Sequence, residues 1–153
     1  MINALNMVDI ESSFSIVMFA TDAEILSNLA SADEALVSLD ELTFTGGRTN
    51  HAAAINSCRT SLESSAQNDR KNILLLITDG SPSEPDGLSE FAAEMAAAEA
   101  KSGKIFIIPV MIKQLLHAYL QRISSDGTIF DASDFDVLDS LKDKLVAHVS
   151  CQI

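Results

Sequence analysis

The sequence is poor in basic residues and has no long apolar run. Its 153 residues include 10 Lys and Arg against 22 Asp and Glu, which gives a formal net charge of −12 and a pI near 4.4. This charge repels nucleic-acid phosphates and anionic membrane surfaces, and it attracts cations. No apolar run approaches the roughly 18 residues of a membrane helix, and residues 1–9 lack the basic and apolar regions of a signal peptide. We therefore expect neither a nucleic-acid partner nor membrane insertion.

Cysteines are few, and familiar catalytic motifs are absent. Cys58 and Cys151 cannot build a disulfide framework, and their spacing matches no zinc motif. The sequence has no Gly-x-Ser-x-Gly, P-loop, Gly-x-Gly-x-x-Gly or His-Glu-x-x-His motif. Asp79 also lacks the second aspartate of a phosphotransfer Asp-x-Asp pattern, because Gly80 and Ser81 follow it. These absences predict a protein that is not an enzyme.

The composition, with 47% hydrophobic and 21% charged residues, is that of one globular domain over residues 1–153. Apolar runs typical of strands alternate with helical stripes. The strands are predicted at Phe14–Ala20, Ala23–Leu29, Asn72–Thr78, Ile105–Met111 and Thr128–Phe130, and the helices at Ala32–Leu42, Ala52–Leu62, Leu88–Ala96, Leu115–Ile123 and Val137–Val149. Gly103 is placed to end the third helix at C′, Ser133 resembles an N-cap, and Pro109 favours a position near a sheet edge or a strand end. The order predicts a three-layer α/β fold with a mostly parallel, doubly wound sheet and helices on both faces.

Two loops are expected at the same edge of this sheet. Ligands of open α/β sheets bind at the carboxyl ends of the strands. Gly46–Thr49 comes just before a helix, and Thr78–Ser81 follows the most apolar strand. Together they offer hydroxyl and carboxylate oxygens, which suit Mg²⁺, Mn²⁺ or Ca²⁺ better than zinc or copper.

The order of elements resembles a von Willebrand factor type A domain over roughly Ala4–Cys151. Gly46-Gly47-Arg48-Thr49-Asn50 followed by Ala54-Ile55 is similar to the family's Gly-Gly-x-Thr loop and helix start. Residues 73–80 are similar to its apolar strand that ends in Thr-Asp-Gly, and residues 14–25 to its second strand and the edge strand after it. Residues 129–138 are similar to its last strand and helix.

The resemblance implies a metal-ion-dependent adhesion site in which an acidic residue of a partner protein completes the coordination. By this resemblance Thr49 and Asp79 are metal ligands, and the cofactor is Mg²⁺, or else Mn²⁺ or Ca²⁺. The implied function is a non-catalytic module that binds a protein or extracellular-matrix ligand. The expected ligand-binding surface consists of Gly47, Arg48, Asn50, His51, Gly80 and Ser81.

The family's first metal loop, Asp-x-Ser-x-Ser after strand one, has no counterpart. Asp9-Ile10-Glu11-Ser12-Ser13 differs from it by one residue, but Ser13 adjoins the strand at Phe14, and a parallel crossover needs a dozen or more residues. Residues 1–8 resemble instead the end of the family's first helix. The central first strand is therefore expected to be missing, which leaves unpaired backbone groups between the Phe14 and Ile73 strands. A fragment is the favoured explanation; a strand from a partner or a second copy, in a homo-oligomer, and closure of the strands around the gap are the alternatives.

Simpler interpretations remain open for each site residue. Thr49 could be a helix N-cap, Asp79 could cap its loop, Arg48 could be solvated, and His51 is expected on the surface of the first helical turn. His117 and His148 are expected to be structural or exposed, and Cys58 to be a small buried hydrophobe. In extracellular members of the family that this chain resembles, a cysteine at the position of Cys151 often pairs with one before strand one. That partner position falls in the missing segment, so Cys151 is expected to be unpaired.

Two functional classes follow from the resemblance. One is adhesion at an extracellular or cell-surface location. The other is a cytoplasmic assembly subunit of an ATPase, chelatase or coat-type complex.

Overall fold

The computed structural model describes residues 12–43, 46–64, 70–83, 89–112, 117–132 and 138–152. The strands are β1 (Phe14–Phe19), β2 (Ala23–Ala30), β3 (Asn72–Thr78), β4 (Ile105–Ile112) and β5 (Phe130–Ala132), and the helices are α1 (Ala32–Asp40), α2 (His51–Glu63), α3 (Ser89–Ser102), α4 (His117–Ile123) and α5 (Leu138–Ser150). The predicted helix end at residues 1–8 and the predicted N-cap Ser133 lie outside the described residues. None of the helices in the described ranges is long and apolar enough to cross a membrane.

The strands form two sheets. β1 and β2 pair as an antiparallel hairpin, whereas β3, β4 and β5 form a parallel sheet in that order. Within the described part of the chain, no ladder joins β1 to β3. This is the boundary at which the sequence predicts a missing strand, and the described strands have not closed around it.

Helices cover both faces of the parallel sheet. On one face α2, α3 and α4 contribute to a core with β3 and β4, which includes Ile55, Leu74, Ala97, Ile107 and Leu120. On the other face Leu145 and Val149 of α5 pack with Ile108 and Val110. Helix α2 also packs on β1 and β2, so it joins the hairpin to the parallel sheet. The predicted three-layer α/β fold is confirmed.

Three local predictions need correction. The last strand is Phe130–Ala132 and not Thr128–Phe130, because Thr128 is held in the preceding turn, where its N–H donates to Asp126. Helix α3 does end before Gly103, but the left-handed residue is Lys104, with φ of 63°. Gly103 has no positive φ, and its N–H instead continues the helical pattern by donating to the Glu99 carbonyl.

Pro109 is the third correction, because it lies inside β4, between β3 and β5, and not near a sheet edge or strand end. The described pairing of β4 with β5 begins only at Val110. At Pro109 the ladder therefore runs on the β3 side alone, through Leu76. One-sided pairing is the arrangement in which a strand tolerates a residue without an N–H.

Candidate functional site

Three loops meet at the carboxyl ends of β1 and β3, and we call them the rim: Ala20–Asp22, Gly46–Asn50 and Thr78–Ser83. The first two are joined by three hydrogen bonds. The Asn50 N–H donates to the Ala20 carbonyl at 2.9 Å, the Asn50 side-chain Nδ2 donates to the Thr21 carbonyl at 3.0 Å, and the Arg48 N–H donates to Thr21 Oγ1 at 3.2 Å. The glycine loop is thereby fixed against the end of β1.

Gly47 is required by this close approach. Its φ is +110°, a conformation that residues with a Cβ rarely adopt. A Cβ at this position would also lie 2.9 Å from Thr21 Oγ1, which is inside van der Waals contact. The glycine pair that the sequence places before Thr49 thus serves the turn and its packing on Thr21.

Thr49 and Ser83 join the second rim loop, Gly46–Asn50, to the third, Thr78–Ser83. The Thr49 N–H donates to Ser83 Oγ at 2.9 Å, and the Ser83 N–H donates to the Thr49 carbonyl at 2.9 Å. The Thr49 hydroxyl oxygen lies 3.9 Å from the position that a Cβ on Gly80 would take. Thr49 therefore sits beside the turn that carries Asp79, on the same edge of the molecule.

Asn50, and not Thr49, is the N-cap of α2. The Asn50 side-chain oxygen accepts a hydrogen bond from the Ala53 N–H at 2.9 Å. The alternative in which Thr49 caps the helix is therefore wrong. The cap is satisfied one residue later, so the Thr49 hydroxyl is not used for this purpose.

His51 is buried, so the prediction of a surface histidine is wrong. Its side chain is 1% exposed, because Phe19 contacts the ring edge-on at 5.7 Å and Tyr119 stacks on it at 5.8 Å between centroids. Nδ1 lies 3.0 Å from Tyr119 Oη, and Nε2 lies 2.9 Å from Thr78 Oγ1. The ring lies beneath the rim and presents no surface to a ligand.

The hydrogen positions in the cluster of Tyr119, His51 and Thr78 follow from the number of donors and acceptors that each side chain has. The Thr78 hydroxyl donates its single hydrogen to the Gly80 carbonyl at 3.0 Å. It must therefore accept from His51 Nε2, which makes Nε2 the protonated ring nitrogen of a neutral imidazole. Nδ1 is then an acceptor, and the Tyr119 hydroxyl donates to it. The hydrogen bonds therefore all run in the same direction: Tyr119 donates to His51, His51 donates to Thr78, and Thr78 donates to Gly80.

Burial keeps this cluster neutral. Desolvation lowers the pKa of His51 to about 4, so the imidazole is uncharged at neutral pH. Desolvation also raises the pKa of the Tyr119 phenol, with further contributions from Glu90 and Glu94, against which Arg122 acts. The chain of donors is therefore intact at physiological pH.

The rim presents oxygen donors from two loops. Asp79 and Ser81 are exposed, Arg48 is exposed beside them, and Thr49 and Gly80 are half-buried. Searched over the described ranges only, the chain holds no group of three or more His, Cys, Asp or Glu side chains that could bind a metal. The structure thus brings together seven residues of the predicted site in the rim and places His51 below them.

Thr21 in the rim and Tyr119 beneath it were not identified from the sequence, whereas Thr78 was predicted in a loop at this edge and Ser83 in a loop that could shape its surface. Thr21 lies in a turn, and Ser83 lies in a long polar loop, where hydroxyls are common. Thr78 and Tyr119 follow apolar patterns that predict core. The one informative feature was Thr78 as the last residue of an apolar strand, directly before Asp79.

The remaining cysteines and histidines are consistent with structural roles. Cys58 packs against the core, and burial raises the pKa of its thiol to about 11. Cys151 is exposed, and both thiols are free. His148 lies 3.2 Å from Asp126 and contacts the rings of Phe106 and Phe130. The side chain of His117 lies outside the described set.

Known structures with the same fold include a thread matrix protein of the mussel byssus and a pilus adhesin. Proximal thread matrix protein 1 (PTMP1) from the mussel byssus has a TM-score of 0.82 at 20% identity, over 98% of this chain and 41% of that chain. A structure of PTMP1 with a zinc-occupied MIDAS motif gives 0.76 at 21% identity, over 97% and 40%. The present chain thus spans about two fifths of PTMP1. No curated protein matches the sequence.

Two further proteins share the fold. The pilus adhesin SpaC from Lactobacillus rhamnosus GG has a TM-score of 0.76 at 10% identity, over 97% of this chain and 26% of that chain. The SpRpn10 VWA domain gives 0.67 at 16% identity, over 86% and 69%. At such identities the similarity establishes the fold alone. A sequence model of the von Willebrand factor type A domain matches residues 1–144, and the chain therefore belongs to the von Willebrand factor type A domain family.

Proposed function

We propose that this chain is a non-catalytic protein-binding module whose rim holds a divalent cation through the Thr49 hydroxyl and the Asp79 carboxylate. When bound, such a cation supplies a positive charge and an open coordination position that a carboxylate of a protein or matrix partner fills. The surface around that position would be formed by Gly47, Arg48, Asn50, Gly80 and Ser81.

The observation that supports this proposal is the joining of the two loops. Thr49 and Ser83 exchange two hydrogen bonds, one from the Thr49 N–H to the Ser83 hydroxyl and one from the Ser83 N–H to the Thr49 carbonyl, and the Thr49 hydroxyl lies against Gly80. A hydroxyl and a carboxylate from separate loops are therefore held on one edge, as a shared ligand requires. The net charge of −12 also favours a cation over an anion at an exposed position.

The two oxygen ligands of the proposed site fit a hard cation that retains much of its hydration shell. Mg²⁺ commonly binds proteins through one or two carboxylates and retains several water ligands. Thr49 and Asp79 are the two proposed protein ligands, and the described ranges contain no group of three or more His, Cys, Asp or Glu side chains that could hold a metal. We therefore expect weak binding, with a dissociation constant on the order of 10⁻³ M.

The similarity to a byssus matrix protein and a pilus adhesin supports an extracellular or cell-surface location. In that setting millimolar divalent cations would occupy even a weak site. Arg48 is exposed beside Thr49, where its guanidinium could pair with the same acidic partner residue. The proposed ligand is therefore a protein segment with an exposed carboxylate.

The test is a titration with Mn²⁺ followed by ¹H–¹⁵N spectra at constant ionic strength. Paramagnetic Mn²⁺ bound at the rim should broaden the amide signals of Thr49, Gly80 and Ser81 before those of other residues, and Mg²⁺ should compete with it. Asp79→Asn should remove this selective broadening, because it deletes the one charged ligand.

Asp33→Asn is the matched control. It makes the same change in net charge, but Asp33 follows Ala30, which pairs with Phe14 at the amino end of β1, opposite the rim. The control should bind Mn²⁺ as the native chain does. Equal broadening in the Asp79→Asn and Asp33→Asn variants would show non-specific binding to an acidic surface. The other class that the resemblance implies, an assembly subunit of an ATPase, chelatase or coat-type complex, would then be the better explanation.

A further inference from the structure

We propose that the buried hydrogen bonds from Tyr119 through His51 to Thr78 position the two rim loops that carry Thr49 and Asp79. Helix α4, which carries Tyr119, would thus control the spacing between Thr49 and Asp79 without contacting the metal or the ligand. This inference rests on the proposed function of the rim. It assigns His51 and Tyr119 as positioning residues.

The residues of this buried hydrogen-bond chain are close in sequence to both proposed metal ligands. His51 is the first residue of α2, two positions after Thr49. Thr78 directly precedes Asp79, and its hydroxyl also closes the turn by accepting from the Gly80 N–H at 3.3 Å and donating to the Gly80 carbonyl. A shift of the imidazole would therefore move the backbone on each side of the site.

Two connections set the distance between the loops, and they differ in environment. The upper one joins Thr49 to Ser83, which is exposed, so water competes for its hydrogen bonds. The lower one joins His51 to Thr78, which are 1% and 6% exposed. A hydrogen bond shielded from water is stronger and is costly to leave unmade. The lower connection should therefore dominate the spacing.

Tyr119 extends this control to α4. Its side chain is 2% exposed, and its hydroxyl is the donor that satisfies His51 Nδ1. The guanidinium of Arg122 lies 6.0 Å from the Tyr119 ring and pairs with Glu90 and Glu94 of α3. The position of Tyr119 is therefore held by contacts on two helices, and the imidazole is held in turn.

The sequence provides a direct spectroscopic probe of this chain. Tyr119 is the only tyrosine, and there is no tryptophan. Its fluorescence therefore reports on a group that is linked to the rim through His51. Mg²⁺, which is diamagnetic, should change this fluorescence in the native chain, and should not do so in Asp79→Asn.

Four variants distinguish a role in positioning the rim loops from a general contribution to the stability of the fold. Tyr119→Phe removes one hydroxyl, His51→Phe removes both ring hydrogen bonds, and His51→Gln retains a donor and an acceptor. Ser61→Ala is the control, because Ser61 is a buried hydroxyl with hydrogen-bond partners, about 15 Å further along the same helix. It should destabilise the fold without changing the rim.

We expect Tyr119→Phe and His51→Phe to weaken Mn²⁺ binding at the rim by about threefold to tenfold, the factor that one lost hydrogen bond gives. His51→Gln should recover most of the loss, and Ser61→Ala should stay within about twofold of the native value. Native affinity in Tyr119→Phe and His51→Phe would overturn the proposal. So would an equal loss in Ser61→Ala.

A metal-free measurement distinguishes this proposal from the proposed function. Amide hydrogen exchange should accelerate at Gly80 and Thr49 in His51→Phe, and not in Ser61→Ala. If the native chain binds no Mn²⁺ but this acceleration is found, the positioning holds and the metal role fails. If exchange at both amides is unchanged in His51→Phe, the positioning role is refuted regardless of metal binding.

Discussion

Lys104, at the end of helix α3, adopts a backbone conformation that glycine favours. Its φ is 63°, a region that costs a residue with a Cβ of order 1 kcal/mol. Its N–H donates to the Lys101 carbonyl at 3.0 Å, so the conformation serves to end the helix. Lys104→Gly should raise the free energy of unfolding by about 0.5–1 kcal/mol, measured by urea denaturation.

Lys104→Ala is the matched control for this substitution. It removes the same charge and side chain but keeps the Cβ, so its stability should remain near that of the native protein. Equal stabilisation by alanine and glycine would show that the gain comes from removing the lysine charge or side chain. The backbone explanation would then be wrong.

The conformation and burial of single residues are least predictable from this sequence. Glycine is the usual residue after a helix, yet here the left-handed conformation falls on Lys104, one position after Gly103. His51 was expected on the surface because polar residues are common in first helical turns. Its burial depends on Phe19, Thr78 and Tyr119, which come from three distant parts of the chain. No local pattern encodes such a meeting.

The beginning of α2 is the element on which the rim depends most directly. Asn50 both caps this helix and donates from Nδ2 to the Thr21 carbonyl. Asn50→Ala should lower the free energy of unfolding by about 2 kcal/mol, since it removes a cap and a hydrogen bond of about 1 kcal/mol each. Asn50→Asp keeps the capping oxygen and loses the donor, so about half of that loss is expected.

Ser31→Ala provides the comparison at another helix. Ser31 caps α1 in a capping box with Glu34 and accepts from the Glu34 N–H at 3.4 Å. The Ser31 N–H and hydroxyl both form their hydrogen bonds with Glu34 in that box, so the substitution should cost about 1 kcal/mol. Urea denaturation of all three variants tests the additive account. Equal losses in Asn50→Ala and Ser31→Ala would mean that the hydrogen bond to Thr21 contributes nothing.

Elements with strong periodic patterns were predicted well, and short ones were not. Strand β3 was predicted to the residue, because an apolar run ending in Thr-Asp-Gly marks both its burial and its end. Strand β5 has three residues and was displaced by two, because it is too short to show a period. Pro109 was misplaced because sequence alone cannot show that β5 pairs with only the end of β4.

In the part of the chain that the structure describes, helix α2 joins the antiparallel hairpin to the parallel sheet. Helix α2 packs on the hairpin and on the parallel sheet, and His51 at its beginning contacts both through Phe19 and Thr78. The family resemblance predicted this boundary through the strand expected between β1 and β3. The resemblance also predicted that Thr49 and Asp79 lie on one edge of the sheet. The buried hydrogen bonds of His51 beneath them could not be predicted, because they join distant parts of the sequence. Global stability should therefore be sensitive to the charge state of His51.

Acid should destabilise the fold through His51. Its pKa is about 4 in the folded chain and 6.5 when unperturbed, so the unfolded chain binds the proton more readily. A lowered histidine pKa gives stability that is complete above about pH 6.5 and is lost as the pH falls towards 4. At pH 4.5 the loss should be about 2–3 kcal/mol relative to pH 7. His51→Gln, which takes up no proton, should lack this component.

The measurement compares urea unfolding of the native chain and His51→Gln at pH 7 and pH 4.5. Protonation of carboxylates relieves the net charge of −12 in both proteins, so the difference between them isolates the histidine. The native chain should lose more stability than the variant, by the amount given above. If the two lose the same amount, the imidazole is either solvated or able to accept a proton in place, and the neutral donor chain from Tyr119 to Gly80 is not the state that folding selects.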